Sequence, residues 1–212
     1  LADHPAPRSD RPLRRGLQAL DLDLNDRARG RLLDYVALLI KWNRVYNLTS
    51  VRKPEEIVVR HLLDSLAVAP HLRGERVLDV GTGAGLPGIP LAIALPDIRF
   101  VLLDSNGKKT RFVRQAVAEL DLANVEVTQA RVEEYRPQEP FDVVISRAFS
   151  CLDELHRQAL RLLKPGGRSL AMKGVYPLAE IEALSPEFGE AEVVRLEVPG
   201  LDAERHLVML GA

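Results

Sequence analysis

The residues best able to do chemistry stand together in Val77-Leu78-Asp79-Val80-Gly81-Thr82-Gly83-Ala84-Gly85-Leu86-Pro87-Gly88-Ile89-Pro90. An apolar, β-branched run breaks into glycines at alternate positions, Gly81, Gly83 and Gly85, and then enters the apolar stretch 91–95. That order reads as strand, tight turn and helix, the first half of a βαβ unit. Glycine permits positive φ and lets a ligand approach the main chain, and the helix start behind it offers free N–H groups. A dinucleotide fingerprint needs its third glycine one place later, where this chain has Leu86.

Asp79 followed by alternate glycines resembles the first motif of class I S-adenosylmethionine-dependent methyltransferases. In that motif the acid helps hold the methionine end of the cofactor, and the glycines make room for the adenosyl group. On the turn alone, an NAD or FAD site and a ligand-free glycine turn stay open.

The elements that must position this turn follow from periodicity and punctuation. A short helical pattern covers 11–20, and Asn25 caps a longer helix reaching Tyr46. Leu32, Leu33, Val36, Leu39 and Ile40 fall on one face of it. Trp42 and Tyr46 continue that face as packing aromatics, and Asn43 and Asn47 are suited to fix the loop that follows. Pro54 opens another helix, with Glu55 and Glu56 in its first turn, and it ends before Pro70. Strands are then expected at 77–80, 99–104, 125–129, 141–145, 168–173, 191–198 and 206–210. Helices are expected at 108–120, 152–163 and, more weakly, 177–184, with Lys164-Pro165-Gly166-Gly167 stopping the second.

The alternation predicts an α/β fold: a mostly parallel, Rossmann-like seven-stranded sheet with helices on both faces, closed by a β-hairpin. The expected organisation is a tail and helical extension over 1–74 and a class I methyltransferase domain over 75–212, packed as one unit.

Composition excludes other classes. With 212 residues, 46% hydrophobic and 28% charged, the chain can bury a sizeable core. No apolar run approaches the roughly 18 residues of a membrane span, so no membrane partner is expected. Cys151 is the single cysteine, which excludes a disulfide framework and a multi-cysteine metal site and points to the cytoplasm. Cys151 itself suits a small core or helix-start position. A formal net charge of -1 leaves any nucleic-acid partner to a local basic patch. The polar, proline-bearing 1–10 reads as a frayed tail, and the missing initiator Met as a trimmed start.

In a parallel sheet the ligand lies beyond the carboxyl ends of the strands, at the switch point. Asp104 ends the second strand, where an acid accepts from both ribose hydroxyls or caps the next helix. Arg131-Val132-Glu133-Glu134 follows the third strand, at the place of an adenine wall or of an ordinary solvated turn. Ser146-Arg147-Ala148-Phe149 follows the fourth, where methyltransferases place the acceptor. This segment lacks the Asn/Asp-Pro-Pro-aromatic signature of amino-group enzymes, and Cys151 is poorly placed as a nucleophile. The acceptor then needs neither covalent attack nor deprotonation, and guanine N7, which carries a lone pair and no proton, fits. Catalysis reduces to positioning and electrostatics. Phe149 stacks on a base or packs in the core, and Arg147 binds cofactor or guanine edge or makes a structural salt bridge.

Longer segments carry a more specific resemblance. They include Trp42-Asn43-Arg44-Val45-Tyr46-Asn47-Leu48-Thr49, Arg60-His61-Leu62-Leu63-Asp64-Ser65-Leu66-Ala67, the glycine turn through Ala92, and Leu103-Asp104-Ser105. Lys108-Lys109 with Arg111-Phe112, Ser146-Arg147-Ala148-Phe149, Lys164-Pro165-Gly166-Gly167 and Met172-Lys173-Gly174 complete the set. Together they resemble the bacterial glucose-inhibited division protein B family, the small-subunit ribosomal RNA methyltransferases G. The resemblance is dense over 30–175. It implies S-adenosyl-L-methionine as cofactor and guanine N7 in a loop of 16S ribosomal RNA, or of the small ribosomal subunit, as acceptor.

The cofactor positions it implies are Gly81, Leu86, Val132, Glu133 and Arg147, beside Asp79, Gly83, Gly85 and Asp104 from the motif. Arg147 is the expected catalytic-site residue, with no general base and no metal. Asn106 departs from the family's apolar residue and, beside the ribose acid, is expected to affect a loop surface more than the chemistry. RNA contact is expected from Lys108, Lys109, Arg131, Phe149, Lys173 and Arg205, with Arg60 and His61 adding a lid, and the chain is expected to act as a monomer.

Overall fold

The computed structural model describes residues 10–147, 149 and 151–212; the expected tail over 1–9, and Ala148 and Ser150 of the segment after the fourth strand, lie outside the described residues. One seven-stranded sheet runs in the order β3-β2-β1-β4-β5-β7-β6. Its strands are β1 (Arg76–Val80), β2 (Arg99–Asp104), β3 (Val125–Gln129), β4 (Phe141–Ser146), β5 (Leu163–Lys173), β6 (Glu192–Arg195) and β7 (His206–Gly211). The first five are parallel, and β7 lies antiparallel between β5 and β6. The order reverses between β1 and β4, so the switch point lies beside the glycine turn.

Alternate side chains send the strands' apolar residues to both faces. Val77, Phe100, Leu102, Val143 and Ile145 join the larger core, and Leu78, Val80, Val101, Leu103 and Val144 the smaller one behind it. On the larger face lie α1 (Asp10–Ala19), α2 (Asp26–Tyr46), α5 (Gly88–Ala94) and α6 (Gly107–Glu119). Leu13, Leu32, Leu39, Ile57 and Leu62 share that core with Leu91 and Phe112, so the helical extension packs as a layer on the sheet. On the other face lie α7 (Leu152–Leu160) and α8 (Leu178–Glu182). Among the described residues no helix is long and apolar enough to cross a membrane.

Asn25 starts α2 by accepting from the Ala28 N–H at 2.8 Å, and Asn47 ends it with φ 49°. Asn43 brackets the following loop, donating to the Thr49 carbonyl and accepting from its N–H, both at 2.9 Å. Trp42 stacks on Tyr46 and packs against Phe112, as helix-packing aromatics do.

Three elements differ from the sequence expectation. The helix opened by Pro54 is not uniform: α3 (Pro54–Ile57) and α4 (Asp64–Leu66) flank a π-helical Val58–Leu63. Val58, His61, Leu62 and Leu63 are buried along it. Next, α7 stops at Leu160, and Lys164 to Gly167 belong to β5 instead of ending a helix. They form an irregularity opposite Phe141 and Val143, where Gly166 takes φ 78° and a Cβ on Gly167 would stand 3.0 Å from the Asp142 carbonyl. Finally, β6 is shorter than 191–198 because Leu196 and Val198 turn into the larger core.

Candidate active site

The glycine turn is buckled from below. Asp79 is fully buried at the end of β1, and its Oδ2 accepts from Thr82 Oγ1 at 2.7 Å and from the Gly88 N–H at 2.9 Å. Its Oδ1 is buried without a hydrogen-bond partner. Burial pushes this carboxyl up to about 6, against the pull of the Thr82 and Gly88 bonds and of the Arg147 charge. From α2, the buried Tyr35 hydroxyl donates to the Ala84 carbonyl at 2.7 Å, and the N–H groups of Gly81 and Thr82 donate to the Leu103 carbonyl. The turn is therefore held by β2, by α2 and by its own acid.

The three glycines do different work. Gly81 and Gly83 take φ of 69° and 61°. A Cβ on Gly81 would meet nothing within 4 Å, and one on Gly83 only the Gly81 carbonyl at 3.8 Å, so the main chain there is bare. Gly85 also has positive φ, but a Cβ on it would stand 2.4 Å from Ile89 Cδ1, so packing of α5 already requires a glycine. Leu86 is buried, and its N–H is used by the Thr82 carbonyl.

Asp104 ties β2 to the turn. Its Oδ2 accepts from the Gly83 N–H at 2.9 Å and its Oδ1 from the Asn106 N–H at 2.8 Å. It does not cap α6; Asn106 does, accepting from the N–H groups of Lys108 and Lys109. The residue expected to affect a loop surface more than the chemistry thus starts a helix. Gly81 and Asp104 form one wall of a cleft of about 180 Å³, and Ala130, Arg131, Val132, Glu133 and Phe149 the other. The ends of β1, β2 and β3 and the segment after β4 converge there.

Arg147 leaves the end of β4 toward the helical extension. Its Nη1 stands 3.8 Å from Asp64 Oδ2 and 3.4 Å from His61 Nδ1. Asp64 Oδ1 accepts from Arg205 Nε at 2.7 Å. His61 Nε2 lies 2.7 Å from Thr49 Oγ1, and Nδ1 lies 2.9 Å from the Arg60 carbonyl. Burial and the Arg147 charge push His61 down to about 4, so the ring is neutral. Its Nδ1–H then donates to Arg60 and its Nε2 accepts from the Thr49 hydroxyl. His61 is buried in this cluster and Arg60 is exposed, so the two do not act together as a lid. Thr49 and Asp64 were not assigned from sequence, and His61 was assigned only to a lid; the signal for His61 and Asp64 was polar residues spaced three apart within an otherwise apolar helical run.

The expected RNA contacts divide. Lys108 is exposed and Lys109 half-buried at the start of α6, and Arg131 is exposed at the cleft. Phe149 is half-buried and packs against the smaller core and against a further cluster of Leu152, Leu155, Ala171 and Val208. Lys173 and Arg205 are not free cations. Lys173 Nζ donates to Glu180 at 2.8 Å and to the Phe149 carbonyl at 3.1 Å, and Arg205 is committed to Asp64. Carboxylates brought in by α8 and α4 neutralise them, which local sequence could not show. Cys151 stands exposed at the start of α7, so of its two expected places it takes the helix start and not the core.

Solved structures of similar architecture include methyltransferases. The O-methyltransferase TomG from Streptomyces achromogenes, solved in complex with SAM, superposes with a TM-score of 0.60 at 16% identity, covering 97% of this chain and 99% of that one. The S-adenosylmethionine-dependent methyltransferase SibL gives 0.57 at 23% identity, over 95% and 74%. Sequence relatives are much nearer. The ribosomal RNA small subunit methyltransferase G of Serratia proteamaculans is 54% identical over 197 residues, 92% of this chain and 96% of that protein. The proteins of the same name from Vibrio vulnificus and Alteromonas mediterranea are 52% and 51% identical, over 93% and 92% of this chain and 96% and 92% of their own lengths. The family model GidB, rRNA small subunit methyltransferase G, matches residues 29–208. The chain belongs to the GidB family of ribosomal RNA small subunit methyltransferases.

Proposed function

We infer that this methyltransferase moves the sulfonium methyl of S-adenosylmethionine to N7 of a guanine in 16S ribosomal RNA, within the small ribosomal subunit, acting as a monomer in the cytoplasm. The observation that carries the reading is the bare main chain of Gly81 and Gly83, opening beside the Asp104 carboxylate at the switch point of a methyltransferase sheet.

The residues present fit that donor. Space stands where any side chain on Gly81 or Gly83 would be. Each Asp104 oxygen uses one lone pair on a backbone N–H and keeps one for a ribose hydroxyl. Val132 and Glu133 offer an apolar wall and main-chain groups for the base. The unpartnered Asp79 Oδ1, close enough to Arg147 to feel its charge, suits the amino-acid end. Bound there, S-adenosylmethionine supplies an electrophilic methyl group.

What the chain itself supplies is placement. The turn and Asp104 fix the donor, and Arg147 sets the potential at the end of β4. A neutral guanine N7 carries a lone pair and no proton, so no group need remove one. The neutral His61, with both nitrogens already engaged, agrees with that. Lys108, Lys109 and Arg131 contact RNA phosphates and Phe149 stacks on a base. Lys173 and Arg205 stay in their ion pairs with Glu180 and Asp64 and are not assigned to RNA. The helical extension completes the donor site through Tyr35 and the Asp64 cluster.

The test is transfer of labelled methyl to small ribosomal subunits that lack the modification, mapped by chain cleavage at N7-methylguanine. One labelled guanine in the 16S RNA is expected. Label on small molecules and not on RNA overturns the acceptor.

A further inference from the structure

Asp64 is the first residue of α4, immediately after the π-helical turn, and it is 3% exposed. A carboxylate that deep in an apolar layer loses its hydration and is costly unless it is well paired. Its two oxygens are used unequally. Oδ1 makes a full hydrogen bond to Arg205 Nε at 2.7 Å, whereas Oδ2 faces Arg147 Nη1 at 3.8 Å, beyond hydrogen-bond length but within ion-pair range. Arg205 precedes β7 and Arg147 follows β4, so one carboxylate joins three parts of the fold.

No other carboxylate forms an ion pair with Arg147 among the described residues. The nearby His61 does not substitute for one. Its ring is fixed between Thr49 and the Arg60 carbonyl, and with the Nδ1 proton given to that carbonyl, Nδ1 has no lone pair for a guanidinium. The ring is a wall beside Arg147 and Asp64 is its anchor. That anchor is immobilised from the far side by Arg205, so it restrains Arg147 by charge without locking it in a hydrogen bond. The Arg147 charge also lowers the pKa of Asp79 and of Tyr35, so both feel the guanidinium.

We propose that Asp64 is a positioning residue: its carboxylate, clamped by Arg205, sets where the Arg147 guanidinium stands over the donor site. It touches neither donor nor acceptor and acts only through Arg147. This rests on the reading above that Arg147 lines the donor site.

The test is a double-mutant cycle read by calorimetry with S-adenosylhomocysteine, the demethylated donor, which needs neither RNA nor turnover. Asp64→Asn keeps the shape and removes the charge, and it is expected to weaken binding about tenfold, within the range for directly coupled residues. On an Arg147→Ala background the same change is expected to do less than twofold. Multiplying losses, or unaltered affinity in Asp64→Asn, overturns the proposal.

Because Asp64→Asn leaves two guanidiniums without their acid and can fail to fold, Arg205→Gln is run beside it. Arg205 does not line the cleft, and its side chain is 23% exposed. Releasing the clamp is expected to change affinity by threefold or more, and by nothing once Arg147 is alanine. No change in Arg205→Gln, or the same change with alanine at 147, counts against the proposal. Wild-type affinity in Arg147→Ala alone removes Arg147 from the donor site and the proposal with it. A cycle that behaves as expected while ribosomal RNA receives no label refutes the acceptor and leaves Asp64's role standing.

Discussion

Replacing Gly83 and Gly85 separately by alanine distinguishes a turn built to receive a ligand from one built only to pack. Both glycines sit at positive φ, 61° and 88°, where an L side chain costs roughly 1–2 kcal/mol. That is the whole expected stability cost for Gly83→Ala, whose Cβ enters open space. In Gly85→Ala the Cβ would stand 2.4 Å from Ile89 Cδ1. Overpacking a core adds roughly 1–3 kcal/mol, giving roughly 2–5 kcal/mol in all. At about 2–4 °C per kcal/mol for a chain of this size, Tm should fall by roughly 2–8 °C in the first variant and roughly 4–20 °C in the second. Donor affinity should behave in the opposite order. Calorimetry with S-adenosylhomocysteine should show at least tenfold weaker binding in Gly83→Ala, because the new methyl occupies the space reserved for the ligand. Gly83→Ala with unchanged affinity, together with a Tm loss equal to that of Gly85→Ala, would refute the assignment of the bare face.

Other outcomes follow from the same geometry. Asp79 has its folded pKa raised to about 6, so the stability it contributes is present below about 4 and lost as pH rises through 6. Asp79→Asn should therefore be more stable than wild type at pH 7.5, by of order 3 kcal/mol at most, and lose the pH dependence between 4 and 6 while binding donor more weakly; urea melts across that range check it. With no general base, the maximal rate should be flat from pH 6.5 to 8.5, and a unit slope in that window would mean that a titrating group removes a proton. Lys108→Ala and Lys109→Ala should each lower the salt slope of RNA binding by roughly 0.7–0.9. Lys173→Ala should leave that slope intact and instead cost stability, since it strands Glu180; a lowered slope would restore Lys173 to the phosphate contacts.

The sheet was legible because buried parallel strands are short apolar runs bounded by glycine and proline. The strand at 99–104 was read to the residue, and the turn after 76–80 announced itself by alternating glycines. What stayed hidden is set by contacts distant in sequence. Arg205 and Asp64 are 141 residues apart, and nothing in either neighbourhood marks them as partners. Lys173 looked like a free cation because its Glu180 arrives only when α8 folds back. Lys164-Pro165-Gly166-Gly167 has the composition of a helix stop and serves inside a strand, because the edge of β4 accepts an irregular pairing there. Asn106 looked incidental because capping depends on where α6 begins, and element ends are the least certain part of any pattern.

The central claim is that the bare glycine turn holds the methyl donor. The most direct measurement is a crystal structure with S-adenosylhomocysteine. Density should lie against the main chain of Gly81 and Gly83, with the ribose hydroxyls on Asp104 and the base between Val132 and Glu133. Density in any other cleft, with that turn left bare, would contradict it.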